Sequence, residues 1–167
     1  LEDRPDASVR QCSVNEEQSE VAVVTIRRSR TDDGDRVVEI WRGAVDATHD
    51  FLSPEDRLAI EELVCGFLPQ APLWLAVDAD DHPLAFMLID DGHMEALFVD
   101  PECRGTGVGA ALVRHGLALH PHMTTDVNEQ NGQAVGFYKR MGFTATGRSP
   151  LDGQGRPYPL LHLKHGE

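Results

Sequence analysis

The chain has 167 residues, of which 41% are hydrophobic and 26% charged, the size and balance of one globular domain rather than of a disordered segment. No apolar run approaches the ~20 residues that cross a bilayer as a helix, so a membrane partner is not expected. Twenty-eight acidic against fifteen basic residues leave a formal charge of -13, a field that repels phosphate backbones and draws cations, which argues against nucleic acid and for a cationic partner.

Residues 1–20 hold six acidic and two basic side chains with no hydrophobic period, and are expected to be a flexible acidic leader to a single domain over 21–167. Val21–Ile26 is short and β-branched, the signature of a strand, and Thr31 with Asp32 and Asp33 offers a cap to a following helix. In that helix Val37, Ile40, Trp41, Ala44 and Val45 recur at three- and four-residue steps, one buried stripe ending near His49. Ser53-Pro54-Glu55-Asp56 supplies a capping hydroxyl, a proline at the first helical position and acids at the positive end of a second helix carrying Leu58, Ile60, Leu63, Val64 and Phe67. LWLAVDA, LAFMLI and HMEALFV, separated by DDHP and DDG turns, read as an antiparallel meander of three strands. A third helix follows from about Val108 to Leu119, then a strand in HMTTDV, a fourth helix over about Gly132–Met141 and a closing strand pair in FTATG and YPLLHLK.

Arg104-Gly105-Thr106-Gly107-Val108-Gly109 stands between a strand and a helix, where bare backbone N–H groups and the helix dipole bind a phosphate-type anion. Gly105, Gly107 and Ala110, with Asp126 further on, also fit a dinucleotide pattern. Against that reading, a meander precedes the loop in place of a strand–helix unit. There is no Gly-Lys-Ser/Thr end for a nucleotide triphosphate either. Beyond the loop comes Asn131-x-x-Ala134-x-x-Phe137-Tyr138-x-x-x-Gly142-Phe143. With these two motifs together the sequence resembles the GNAT superfamily of acetyl-CoA-dependent N-acetyltransferases, from about Val23 to Lys164. IWRGAVDATHDFLSPED, VNEQNGQAVGFYKRMGF and GRPYPLLHL are similar to its small stand-alone bacterial members.

The resemblance implies an α/β fold, with a mixed, mainly antiparallel sheet of about seven strands flanked by about four helices. It implies acetyl-CoA as cosubstrate, no metal, and transfer of acetyl to a primary amine. Phe98 and Val99, through their backbone, Arg104, Gly105, Thr106, Gly107, Val108, Gly109, Ala110, Asn131 and Phe137 are the implied coenzyme-binding residues. Asn131 is equally suited to cap the fourth helix. Tyr138 matches the family's general acid, the alternative being an aromatic packed in the core. A lysine amine has a pKa of about 10.4, so its proton needs a route away; Asp126 and Glu95, each on a strand, are equal candidates, and a solvated strand-face acid is the rival account of both. Trp41, His49, Asp50 and Phe51 fall where the family builds its acceptor wall, although the place of Trp41 on the helical stripe favours the core and His49 also suits the negative end of the first helix.

The expected acceptor is a protein lysine. A polyamine, an aminoglycoside or a non-catalytic acyl-CoA sensor are the alternatives, and a homodimer is compatible with all of them. Cys12, Cys65 and Cys103 are an odd number without a C-x-x-C pair, and no secretory signal opens the chain, so the expected location is cytoplasmic.

Overall fold

The structure, a computed structural model, describes residues 24–166; the expected leader over 1–20 and Val21–Val23 of the expected first strand lie outside the described residues. In chain order the elements are β1 (Thr25–Arg28), α1 (Gly34–Thr48), α2 (Pro54–Phe67), β2 (Trp74–Val77), β3 (Pro83–Asp90), β4 (His93–Val99), α3 (Val108–Leu119), β5 (Thr124–Asn128), α4 (Gly132–Arg140), β6 (Phe143–Ser149) and β7 (Leu160–His165). The strands form one mixed seven-stranded sheet in the order β1-β2-β3-β4-β5-β7-β6, with β4 and β5 parallel. Seven strands and four helices agree with the sequence. Two compact units are distinguishable, one built on the chain up to Leu88 with Ala96–Val113, the other on Ile89–Glu95 with the chain from Arg114.

In the first unit the α1 stripe is buried as its spacing requires: Val37, Ile40, Trp41, Ala44 and Val45 are all in the core, joined by Val38. Val37, Val38, Ile40, Trp41 and Val45 pack with Leu73, just before β2, and with Leu75, Val77, Phe86 and Leu88 of the strands. Two details differ from the sequence reading. Strand β1 is registered as Thr25–Arg28 against Trp74–Val77, later than Val21–Ile26, because cations and not β-branched side chains hold its end: the Arg28 guanidinium stacks 4.0 Å over Trp74, and Arg27 pairs with Asp33 and Asp81. Thr31–Asp33 is a short 3-10 turn ahead of α1, and Asp33 is buried there with its carboxylate accepting the Arg30 N–H at 2.7 Å. On α2, Ser53 caps as expected, accepting from the Asp56 N–H at 3.1 Å. Only Ile60 and Val64 of its apolar residues reach the core, while Leu58, Leu63 and Phe67 are exposed. The side of α2 nearest α1 is polar instead, with Arg57 bonded to Asp46 and Glu61, and Arg42 to Glu61.

In the second unit β5 and β6 flank β7, both antiparallel to it. One face of these strands is covered: Thr125, Val127, Leu163 and Phe143 are buried, and α4 lays Tyr138 against Phe143 with ring centroids 5.5 Å apart. The register slips between Ala145 and Gly147, a β-bulge at Thr146.

Candidate active site

The glycine-rich segment is a turn over 104–107 leading into α3. Gly105 (φ 82°) and Gly107 (φ 90°) both occupy the left-handed region, which a side chain disfavours by about 1–2 kcal/mol. A Cβ on Gly105 would meet nothing within 4 Å, so the turn is open on that side. Between them Thr106 is buried and donates its hydroxyl to the Cys103 carbonyl at 2.5 Å. The N–H groups of the first turn of α3 have no acceptor within the helix. An open turn of positive-φ glycines at a helix start fits a pyrophosphate and leaves room for its oxygens. The turn is anchored from behind by Asp100, which accepts the Glu102 N–H at 2.9 Å and an Arg36 N–H from α1 at 2.6 Å. Arg36 also donates to the Pro83 carbonyl at 2.9 Å. Gly43 passes Pro101 so closely that a Cβ would lie 3.2 Å from its ring.

His49, just past α1, sits 5.2 Å from the Phe51 ring and 6.4 Å from Phe98, itself 5.5 Å from Phe86. Thr48 donates its single hydroxyl proton to the Ala44 carbonyl at 2.7 Å, so it meets His49 Nδ1, also at 2.7 Å, as an acceptor. Neutral His49 therefore carries its proton on Nδ1 and presents a bare Nε2. Burial pushes this imidazole below the ordinary histidine range, opposed by the charge of Asp50. Asp50 is exposed, whereas Trp41 is only 4% exposed, in the core and under the Arg57 guanidinium.

Asn131 caps α4, its Oδ1 accepting the Ala134 N–H at 3.2 Å. Tyr138, seven residues on, is buried between Phe137 and Phe143, and burial alone raises its phenol well above the usual tyrosine value. Across neutral pH the phenol stays protonated.

The opposite face of β5 and β7 is polar. Asp126 pairs with His162 in register, and His93 faces Thr124, so alternation brings His93, Glu95, Thr124, Asp126, His162 and Lys164 to one side. Asp126 Oδ1 lies 2.6 Å from His162 Nδ1 and Oδ2 3.4 Å from His93 Nε2. Ser149 Oγ is 2.7 Å from His162 Nε2, and Thr124 Oγ1 2.7 Å from His93 Nδ1. Asp126 and Glu95, the two carboxylates singled out by the sequence, thus share a face. The two histidines, Ser149, Arg36 and Asp100 were not singled out. Strand alternation was the available signal for His93 with Glu95, but nothing local pairs His162 with Asp126, 36 residues away. Among the described residues no group of three or more His, Cys, Asp or Glu is placed to hold a metal ion, and no helix is long and apolar enough to cross a membrane.

The chain matches the family described as "Acetyltransferase (GNAT) domain" over residues 58–156. It is 59% identical over 141 residues to peptidyl-lysine N-acetyltransferase YjaB of Salmonella typhimurium, covering 84% of this chain and 97% of that protein. To the Escherichia coli peptidyl-lysine N-acetyltransferase YiaC it is 28% identical over 120 residues, 71% of this chain and 82% of that one. Among solved structures, apo YjaB of Escherichia coli superposes with a TM-score of 0.83 at 58% identity, over 86% of this chain and 97% of that chain. The PaiA N-acetyltransferase of Thermoplasma acidophilum, in complex with coenzyme A, shares the fold at 16% identity, with a TM-score of 0.66 over 87% of this chain and 99% of that chain. A glycine turn fit for a pyrophosphate and a protonated buried phenol thus stand in a chain that belongs to the GNAT acetyltransferases, enzymes that move an acetyl group from acetyl-CoA to an amine.

Proposed function

We propose that the acceptor is the side-chain amine of a protein lysine. The observation that carries this reading is the 58–59% identity to two proteins named peptidyl-lysine N-acetyltransferase, across almost their whole length. The charge of -13 suits a cationic acceptor, and the reading goes with a cytoplasmic protein.

Bound acetyl-CoA supplies an activated thioester and a thiol leaving group. The turn and helix start from Arg104 through Ala110 hold the pyrophosphate, with backbone N–H groups as donors and the Arg104 guanidinium as counter-charge. In the first unit Phe98 and Val99, outside the two registered β4–β5 pairs at His93 and Met94, offer main-chain groups to the pantetheine amides; in the second, Asn131 and Phe137 are the coenzyme-binding residues that the family resemblance implies. Tyr138 donates its proton to the departing sulfur. Edge-on contacts with Phe137 and Phe143 hold its ring in place for this role. His49, Asp50 and Phe51 form the acceptor wall, and Trp41, of the same candidate set, lies in the core. Of the two carboxylates, Asp126 serves amine deprotonation, because it is linked to two imidazoles.

Incubating the protein with acetyl-CoA and a deacetylated proteome, and mapping acetyl groups by mass spectrometry, tests the reading. Enrichment at lysine side chains is expected. Transfer to spermidine or an aminoglycoside with untouched lysines would overturn it.

A further inference from the structure

Asp126 is poorly suited to act alone as the base. A carboxylate is only an acceptor, and each of its oxygens already faces an imidazole nitrogen, His162 Nδ1 at 2.6 Å and His93 Nε2 at 3.4 Å. At 2.6 Å from a carboxylate oxygen, His162 Nδ1 therefore bears hydrogen. With Nδ1 protonated, neutral His162 has its lone pair on Nε2, and that atom is met by the Ser149 hydroxyl at 2.7 Å. The two contacts together fix both the tautomer and the ring plane. They depend on the bulge at Thr146: it places Gly147 opposite His162 and Ser149 opposite Leu160, two residues along on the same face. Without the extra residue Arg148 would take the position of Ser149.

Resting on the reading of an amine acceptor, we propose that His162 is the group that receives the ammonium proton, through the Ser149 hydroxyl, with Asp126 as the positioning residue that holds its Nδ1–H. The substrate ammonium passes one proton to Ser149 Oγ as that oxygen gives its own proton to His162 Nε2, and Asp126 stays ionised beside the imidazolium. The freed nitrogen lone pair forms the C–N bond to the acetyl carbon. The C–S bond breaks with its electron pair on sulfur, which is protonated from Tyr138. The nitrogen then sheds a second proton that restores Tyr138 by way of solvent, and His162 returns its proton to solvent. The net products are an amide, a thiol and one proton.

The chemistry favours an imidazole over a carboxylate here, because their ordinary pKa values are about 6.5 and about 3.9, and a base nearer the operating pH takes a proton from an ammonium more readily. The ionisable groups facing this site are His93 and Glu95 from β4, Asp126 from β5, and Lys164 beside His162 on β7; β6 presents the uncharged Thr144, Gly147 and Ser149.

The test is the pH profile of kcat with a saturating lysine peptide for the parent and for His162→Asn, which keeps an N–H toward Asp126 but has no titrating nitrogen. Unchanged melting temperature and acetyl-CoA affinity certify the variant. We expect kcat to fall 10²-fold or more and the acid limb of its pH profile to change, with KM little changed; Ser149→Ala should lose activity that Ser149→Thr regains. Imidazole ¹⁵N shifts of the parent should show His162 as the Nδ1–H tautomer, a readout independent of turnover. Parental kcat and acid limb in His162→Asn, an acid limb that moves with Glu95→Gln instead, or an Nε2–H tautomer would each overturn the proposal. Failure of the lysine reading looks different: the parent itself leaves lysine peptides untouched. If it acetylates a polyamine, the same pH comparison with that amine decides the role of His162.

Discussion

Tyr138 and Asp126 stand on opposite faces of the same strands. Tyr138 packs on Phe143, whose neighbours across the ladder put it on the side of Leu163 and Thr125, while Asp126 stands with His162 on the other side. A buried phenol and a carboxylate linked to two imidazoles thus belong to opposite faces of the same strands.

Tyr138→Phe should lower kcat by about 10²-fold or more while leaving acetyl-CoA affinity within about twofold, because only the hydroxyl is lost and the ring contacts persist. Since burial raises the phenol above its ordinary value of about 10, the parent should show no loss of kcat from Tyr138 between pH 7 and 9. Single-turnover kinetics with calorimetry of coenzyme binding measure both.

The two turn glycines should respond differently. Gly105→Ala meets open space, so its cost is the left-handed backbone, about 1–2 kcal/mol of stability, with coenzyme binding weakened only modestly. Gly107→Glu adds bulk and negative charge at φ 90° and should weaken acetyl-CoA more than 10-fold by calorimetry.

Much of this was legible in the sequence. The α1 stripe, the Ser53 cap and α3 over Val108–Leu119 are written in spacing and local chemistry. The β1 register was not, because it is set by Arg28 stacking on a tryptophan 46 residues away. The glycine turn and Tyr138 were found because their motifs are contiguous. The polar face that joins Asp126 to His162 and Ser149 depends on two strand registers and a bulge, none of which leaves a local mark.

His49 gives a stability signature. Its folded pKa lies below the ordinary value of about 6.5, so the folded state favours the neutral ring and the unfolded chain takes up the proton first. Its contribution is present above about pH 6.5 and is lost as pH falls through the lower folded value. The melting temperature of the parent should drop more between pH 7 and 5 than that of His49→Gln.

Asp50 is the exposed acid of the proposed acceptor wall, while the nearby Asp46 is engaged by Arg57 at 3.0 Å. Asp50→Asn should raise KM for a lysine peptide severalfold at low salt with kcat kept, and the difference should vanish near 1 M salt, where the Debye length is about 3 Å. Steady-state kinetics across the salt range check this.

Arg36 reaches from α1 to both Asp100 and the Pro83 carbonyl, and Gly43 of the same helix rests on Pro101. The turn proposed to receive the coenzyme is therefore tied to a helix whose other side is core. Free energy gained at the turn on ligation is not confined to it: opening α1 requires releasing Asp100, and releasing Asp100 loosens the turn. Amide hydrogens of α1, remote in sequence from the glycines, should exchange more slowly when acetyl-CoA is bound, and the effect should weaken in Arg36→Ala. On that expectation the first helix reports coenzyme occupancy thermodynamically.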